Sequence, residues 1–167
     1  MSDKPYRPNV GIALFNATGH VLIARRFQDD GPEVIYPGLE WQMPQGGIDP
    51  NEDARPAAQR ELFEETGVTS VDYLGETPDW MTYDFPPYDG PPHRLGVFRG
   101  QRQKWFAFRF TGAESEIAVL EERNGQPVEF DAWRWERLEN VASLVVPFRR
   151  EIYQAVAQEF ARFSGAA

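Results

Sequence analysis

The stretch from Gly46 to Val68 reads GGIDPNEDARPAAQRELFEETGV and predicts a helix whose ends are both marked. Asp53 is a residue type that caps helix N-termini, and Pro56 falls in the first turn, where a missing N–H costs little. Gly67 favours the left-handed conformation that ends a helix. The Gly-Gly pair ahead of the helix predicts a sharp turn that lets the backbone approach a ligand closely.

Three carboxylates of this helix, Glu61, Glu64 and Glu65, lie on one side because residues at i, i+3 and i+4 are neighbours on a helix surface. Like charges at this spacing repel one another, whereas a hard divalent cation beside a phosphate chain would neutralise them. The alternative interpretation is an acidic, solvated helix face. Arg60, one turn before Glu64, can pair with its carboxylate and hold the side chains in register, although it could equally form an ordinary surface pair.

The same stretch resembles the Nudix box, which has a glycine, five residues, Glu, seven residues, and then Arg-Glu-apolar-x-Glu-Glu-x-Gly-apolar. Every specified position is filled, by Gly46, Glu52, Arg60, Glu61, Leu62, Glu64, Glu65, Gly67 and Val68. The resemblance implies an α+β fold, an α/β/α sandwich in which a mixed β-sheet is flanked by the Nudix-box helix and a C-terminal helix. It also implies a divalent cation, Mg²⁺ first and Mn²⁺ second, held by Glu61, Glu64 and Glu65.

Composition limits the class of protein. The chain has 167 residues, a formal net charge of −9 and no cysteine. This length fits one domain, which we expect to span residues 1–167 with a core of about 6–162. The absence of cysteine excludes thiolate chemistry and suits the reducing cytoplasm. No apolar run is long enough to span a membrane. We expect a monomer. The acidic balance argues against a broad nonspecific grip on nucleic acid, so any contact with RNA must be local.

The remaining elements are read from apolar periodicity and turn residues. A long loop is expected at 86–102, where prolines and glycines concentrate. A hairpin is predicted from 9–15 and 20–26, further strands at 41–43, 71–76, 80–85, 104–110 and 130–135, and a last helix at 147–162.

Glu129, in the sequence PVEFDAWRW, matches the carboxylate outside the box that often completes the metal site or serves as base in families of this kind. The competing interpretation is a solvated glutamate at a strand end. The resemblance therefore implies four metal ligands, and a catalytic set of Glu64, Glu65, Glu129 and Arg60. Which carboxylate takes the proton stays open, because that assignment depends on geometry.

Four further motifs narrow the resemblance: YRPNVG at 6–11, ARRF at 24–27, WQMPQGG at 41–47 and QKWF at 103–106. Together they look like the bacterial RNA pyrophosphohydrolases and the similar dinucleoside polyphosphate hydrolases. Phe148 could instead belong to the core, and Lys104 could be an exposed lysine without a role. The substrate-binding residues that the resemblance implies are Arg7, Arg26, Gln45, Gly46, Gly47, Tyr83, Lys104, Phe148 and Arg149.

Two substrates compete. The first is 5′-triphosphorylated RNA, from which pyrophosphate would be removed to leave a 5′-monophosphate and promote RNA decay. The alternative is diadenosine tetraphosphate, cut asymmetrically, because WMTYDFPP at 80–87 looks closer to plant-type dinucleoside tetraphosphate hydrolases. A non-catalytic nucleotide-binding module and an acidic protein-interaction domain are the rivals from other classes.

Overall fold

The computed structural model describes residues 3–165, so residues 1, 2, 166 and 167 of the predicted domain lie outside the described residues. Short 3₁₀ turns occur at Arg94–Val97, Glu114–Glu116, Pro147–Arg149 and Ala161–Phe163. The regular elements are β1 (Tyr6–Phe15), β2 (Val21–Arg26), β3 (Trp41–Gln42), β4 (Gln45–Gly47), α1 (Ala54–Thr66), β5 (Val71–Glu76), β6 (Met81–Asp84), β7 (Gly100–Phe110), β8 (Phe130–Glu136), α2 (Leu138–Val141) and α3 (Arg150–Phe160).

The sheet is mixed and is organised around two long strands. β1 and β7 run parallel in unbroken register, from Tyr6 opposite Gly100 to Phe15 opposite Arg109. The path through the sheet is β3-β2-β1-β7-β5, while β4 pairs with β1, β6 with β7 and β8 with β2. Most other pairings are antiparallel, so the predicted mixed sheet is confirmed.

The predicted hairpin forms only at its closed end. β1 and β2 are registered at Phe15 opposite Val21 and then diverge, because the segment carrying β3 and β4 inserts between them. Gly46 and Gly47 therefore lie inside a strand, opposite Val10 and Asn9. The sharp turn predicted at these two glycines is wrong, since the pairing requires extended backbone there.

Helices cover both faces of the sheet. On one face, Leu62 of α1 packs with Phe106 and Phe108 of β7. On the other, α3 contributes Tyr153 and Phe160 to a second cluster that also contains Trp105. Alternate residues of β7 thus serve opposite cores, as strand geometry requires. The α/β/α sandwich expected from the sequence is confirmed.

Several predicted boundaries change, and β1 begins at Tyr6 instead of Asn9. β7 begins at Gly100 instead of Lys104, which shortens the expected loop to residues 86–99, called the strap below. The N–H of Phe85 donates to the carbonyl of Arg99 at 2.9 Å, and this hydrogen bond holds the two ends of the strap together. The predicted last helix is a 3₁₀ turn followed by α3 and a second 3₁₀ turn. Over residues 3–165, none of the helices combines the length and apolar character that crossing a bilayer requires.

Candidate active site

The helix α1 places its three carboxylates beside the sheet. Leu62 is buried in the core, and Gly67 ends the helix at φ 81° with its N–H donating to the carbonyl of Phe63. Asp53 is the N-cap by position, but its side chain accepts no capping hydrogen bond. The side chain of Glu64 is 6% exposed and that of Glu61 14% exposed. The carboxylates are therefore largely withdrawn from solvent.

Arg60 ties these groups together. Its Nη1 donates to Glu61 and to Glu64, each at 2.9 Å, which is the pairing with Glu64 that the sequence predicts. Nε and Nη2 donate to Glu52, and Nη2 also donates to the carbonyl of Gly47 at 2.8 Å. The hydrogen bond to Arg60 lowers the pKa of Glu52, and that bond likewise raises the pKa of Arg60. One guanidinium thus connects α1, β4 and the loop between them.

The carboxylates repel one another even with Arg60 present. Burial raises the pKa of Glu61 to about 7, and the charges of Glu64 and Glu129 add to this effect against the attraction of Arg60. Burial also raises the pKa of Glu65, and the negative charges of Glu129 and Glu61 raise it further. These groups carry the excess negative charge that a bound cation would relieve.

Glu129 approaches from outside the helix, immediately before β8. Glu129 is exposed to solvent, but it lines the same concavity as Glu61, where desolvation raises its pKa and the charge of Arg26 opposes that rise. Its place at the metal stays a prediction. Asn124, at φ 53°, donates to Oε2 of Glu64 at 3.1 Å from the same loop region.

The residues present fit a divalent cation. Among residues 3–165, no three carboxylate or imidazole groups are already gathered around a point as metal ligands, since Arg60 holds oxygens of Glu61 and Glu64. However, Oε2 of Glu65 is buried without a hydrogen-bond partner in the described part of the chain. A buried, unpaired carboxylate oxygen among other carboxylates is the donor chemistry that Mg²⁺ and similar hard cations prefer.

Gly46 and Gly47 leave room for the site. A Cβ on Gly46 would lie 2.5 Å from Oε1 of Glu61 and closer still to its Cδ. A Cβ on Gly47 would lie 2.7 Å from Cζ of Arg7. Side chains at these positions would therefore displace one carboxylate and one arginine. The glycines are needed for close approach, as predicted, although they form a strand.

A cavity of about 300 Å³ opens beside these groups, and a smaller one of about 20 Å³ adjoins it. Glu61 and Glu129 line both, whereas Glu64 and Glu65 line the smaller one. The larger cavity is also lined by six of the predicted substrate residues, namely Arg7, Arg26, Gln45, Gly46, Gly47 and Arg149. Arg94 brings the number of arginines in its lining to four. The acidic cluster therefore opens directly into a partly cationic cavity.

Two of the cavity arginines are buried and bonded to other residues of the protein. Arg149 is 3% exposed and forms a buried ion pair with Glu33, and it also donates to Oε1 of Gln42. Arg26 is 8% exposed and donates to the carbonyls of Glu33 and Gln28. Burial alone would raise the pKa of Glu33, but the charge and hydrogen bonds of Arg149 outweigh it and hold that pKa below its usual value.

Three predicted substrate residues lie elsewhere. Tyr83 is buried, with its hydroxyl 3.2 Å from Glu33, and Phe148 packs against it with ring centroids 5.8 Å apart. Tyr83 belongs to the core cluster that contains Trp105, and the partly buried Phe148 packs against that cluster. Lys104 points to the α1 face of the sheet, where its Nζ is 3.0 Å from Glu76, and it lines neither of the two cavities, so its place at the phosphate chain stays a prediction. Neighbouring residues of a strand face opposite sides of the sheet. Gln103 therefore faces away from α1, and its Nε2 donates to Oε1 of Gln45, which lines the cavity.

Sequence reasoning missed several cavity residues. Most of them are isolated polar residues in loops, where nothing distinguishes them from surface residues. Gln101 and Asn9 could have been found from strand alternation. Arg7 and Asn9 lie two residues apart in β1 and pair with Gln101 and Gln103 of β7, so all four side chains face the same side of the sheet. The missed residues with polar side chains facing the cavity include Asn9, Gln28, Asp30, Glu33, Arg94 and Gln101.

Known proteins similar to this chain include several that share one name. An RNA pyrophosphohydrolase of Afipia carboxidovorans is 53% identical over 163 residues, covering 98% of this chain and 96% of that protein. One of Azorhizobium caulinodans is 49% identical over 165 residues, covering 98% and 97%. The family of the NUDIX domain matches residues 5–156.

Solved structures support the fold. The dihydroneopterin triphosphate pyrophosphohydrolase of E. coli superposes with a TM-score of 0.60 at 18% identity, covering 93% of this chain and 99% of that one. The Ap4A hydrolase of C. elegans, in a binary complex, gives 0.58 at 16% identity, covering 92% and 98%. At these identities the likeness concerns the fold alone. The extent of the family match and the identity to the two bacterial relatives show that this chain belongs to the NUDIX domain family.

Proposed function

We propose that the chain is a metal-dependent RNA pyrophosphohydrolase that removes pyrophosphate from the 5′ end of triphosphorylated RNA and thereby promotes RNA decay. The observation that carries this proposal is the continuity of the two cavities, because Glu61 and Glu129 line both of them. A carboxylate cluster that opens into an arginine-lined cavity suits hydrolysis of a polyphosphate. Full-length relatives named RNA pyrophosphohydrolase, at 49% and 53% identity, support RNA as the substrate.

The metal would be held by Glu61, Glu64, Glu65 and Glu129, with Mg²⁺ preferred and Mn²⁺ as the second choice. When bound, such a cation neutralises the phosphate chain and lowers the pKa of a water molecule. The chain's own contribution is to keep these carboxylates close despite their repulsion. Arg60 does this, since it bonds to two of them and to the backbone of Gly47.

The arginines orient the substrate. Arg7 is half-buried against Gly47 and lines the same cavity as Glu61, which suits pairing with phosphate oxygens. Arg26 is buried and bonded to the loop at 28–33, so it shapes the wall that contacts the first nucleotide. Arg149 supports that wall through Glu33.

In the reaction, a water oxygen attacks a phosphorus atom of the triphosphate and the anhydride P–O bond to the departing group breaks. Pyrophosphate leaves, and the RNA retains a 5′-monophosphate. The proton of the water passes to a carboxylate, for which Glu64, Glu65 and Glu129 are the candidates. Burial raises the pKa of Glu65 and of Glu129, which brings both closer to the range in which a carboxylate is an effective base.

Asymmetric hydrolysis of diadenosine tetraphosphate is the second candidate. It needs the same cation site and the same attack by water, and the segment at 80–87 is the sequence feature that favours it. A non-catalytic nucleotide-binding module is the weaker alternative, because every carboxylate of the box is present. The monomeric state and the cytoplasmic location stay predictions.

The test compares 5′-triphosphorylated RNA with diadenosine tetraphosphate at equal enzyme concentration in Mg²⁺, with product analysis, and with a chelator and Glu65→Gln as controls. We expect pyrophosphate and 5′-monophosphorylated RNA, lost in both controls. A strong preference for the dinucleotide would reverse the order of the two substrates. No metal-dependent turnover of either would favour a binding module or an acidic protein-interaction domain.

A further inference from the structure

The strap at 86–99 is fastened to the loop at 28–35, called the entry loop below, through one carboxylate. Nε2 of His93 is 2.8 Å from Oδ1 of Asp30, and Nη2 of Arg94 donates to Oδ2 of Asp30 at 2.6 Å. Both oxygens of Asp30 are thus taken by successive strap residues. Asp30 and Arg94 line the large cavity, so this junction lies at its mouth.

The backbone of the entry loop is shaped for this junction. Gly31 has φ +59°, and a Cβ there would lie 2.5 Å from Cγ of His93. The N–H of Leu95 donates to Nδ1 of His93 at 3.1 Å, which leaves Nε2 to carry the hydrogen that Asp30 accepts. A glycine, a ring and a carboxylate therefore fix the position of the neighbouring Arg94.

Arg94 is the accessible cation on this side of the cavity. Its side chain is 59% exposed, whereas Arg26 and Arg149 are buried and bonded inward. Arg7 lies against Gly47 and lines the same cavity. Within the part of the chain that the structure describes, the cavity thus presents one accessible guanidinium beside Gly47 and one at the entry loop.

We propose that Arg94 binds the phosphodiester that follows the first nucleotide of an RNA substrate. This inference rests on the proposed function. A cavity of about 300 Å³ is at the small end of the range for ligand pockets, so it accommodates the end of a chain and not its continuation. With the triphosphate at Glu61 and Arg7, the chain leaves past the entry loop, where the guanidinium of Arg94 can pair with a phosphate.

This position separates the two candidate substrates. RNA carries a phosphodiester on the 3′ side of its first nucleoside, whereas all phosphates of a dinucleoside polyphosphate lie between the two 5′ carbons. A dinucleoside polyphosphate has no phosphate on the 3′ side of a nucleoside, so it lacks the group that is assigned to Arg94. The contact therefore favours an RNA chain over a dinucleotide.

The experiment measures dissociation constants by calorimetry for adenosine 5′-monophosphate and for the 5′-phosphorylated dinucleotide pApA, with full-length protein in Mg²⁺. We expect Arg94→Ala to weaken binding of pApA about tenfold and to leave the mononucleotide within about twofold. Arg137→Ala is the charge-matched control, because that arginine is 68% exposed and pairs only with Glu139 among the described residues. It should change neither constant.

A backbone variant tests the junction itself. Gly31→Ala should displace His93 and weaken pApA selectively, as Arg94→Ala does. Gly38→Ala is its control, since Gly38 has φ +83° but no atom within 4 Å of an added Cβ, and it isolates the cost of the strained backbone. Melting curves show whether each variant is folded.

Two results would overturn the inference. One is wild-type protein that binds the mononucleotide and pApA equally, and the other is Arg94→Ala that weakens both ligands to the same extent or neither. Failure of the proposed function gives a different result, namely absence of metal-dependent turnover of triphosphorylated RNA, and it is read in a separate assay. The binding ratio can be measured whether or not turnover is found.

Discussion

Gly46 and Glu61 approach so closely that the carboxylate occupies the space a Cβ would need, 2.5 Å from Oε1. Gly46→Ala should therefore move Glu61 away from the position where it lines both cavities. We expect kcat to fall about 100-fold, because small displacements of catalytic groups have effects of that size. Steady-state kinetics with triphosphorylated RNA check this. Gly96→Ala is the control, since a Cβ there meets nothing within 4 Å, and equal kinetics for both variants would contradict the assignment of Glu61.

Removing a carboxylate should reduce metal binding without weakening the fold. Glu65 is buried beside Glu129 and Glu61, and its raised pKa shows that its negative charge is unfavourable there in the absence of metal. We expect Mg²⁺ to raise the Tm of the wild type, because a ligand that binds only the native state stabilises it. In Glu65→Gln that shift should largely disappear, while the metal-free Tm stays equal or rises. A variant that keeps the full shift would remove Glu65 from the ligand set.

The buried pair of Glu33 and Arg149 predicts a pH-dependent stability. Glu33→Gln leaves a buried guanidinium without its partner charge, and we expect a loss of about 3 kcal/mol in the free energy of unfolding at pH 7. The folded-state pKa of Glu33 lies below its ordinary value of 4.5, so its contribution is present above pH 4.5 and is lost as the pH falls through the folded-state pKa. Urea denaturation at several pH values from 7 to 3 should show that the difference in stability between the two proteins shrinks once the pH falls below 4.5. A constant difference would contradict the ion pair as the cause.

Replacing the cavity arginines should affect either KM alone or both KM and stability, depending on how each arginine is bonded. Arg7 lines the cavity without an ion pair among the described residues, so Arg7→Ala should raise KM about tenfold with little change in Tm. Arg26 also bonds to two carbonyls of the entry loop, so Arg26→Ala should raise KM and also cost about 2 kcal/mol of stability.

Lys104→Ala is the control for both arginine variants, because Lys104 lies on the opposite face of the sheet and pairs with Glu76. Kinetics and melting curves on all three variants test the distinction. A KM effect of Lys104→Ala as large as that of Arg7→Ala would support the predicted role of this lysine at the phosphate chain.

The sequence predicts what local spacing determines. Residues 46–68 identify the family, and helical periodicity alone brings Glu61, Glu64 and Glu65 together and pairs Arg60 with Glu64. The ends of α1 follow from the intrinsic preference of Gly67 for its conformation. Such features need no knowledge of the rest of the fold.

Features that depend on distant pairing were not predicted. Glu33 lies among Asp, Gly and Pro residues and resembles a surface loop residue, yet Arg149, 116 positions later, makes it a buried anion. Gly46 and Gly47 suggest a turn until β1 is known to pair with them. Lys104 lies on the α1 face of β7 beside Glu76, a position that depends on the pairing of β7 with β5. In each case the tertiary partner, and not the local sequence, decided the outcome.

The parallel alignment of β1 with β7 also constrains when the site can form. These central strands are paired between residues about 94 positions apart, as in Tyr6 opposite Gly100, so no local contact can establish the middle of the sheet. Non-local parallel pairing closes slowly. During synthesis, the apolar β1 segment lacks its β7 partner until residue 110 has left the ribosome, and the wall of the cavity remains incomplete until Arg149 has been added. A nascent chain halted before that arginine would carry a complete acidic helix and no enclosed place for a nucleotide.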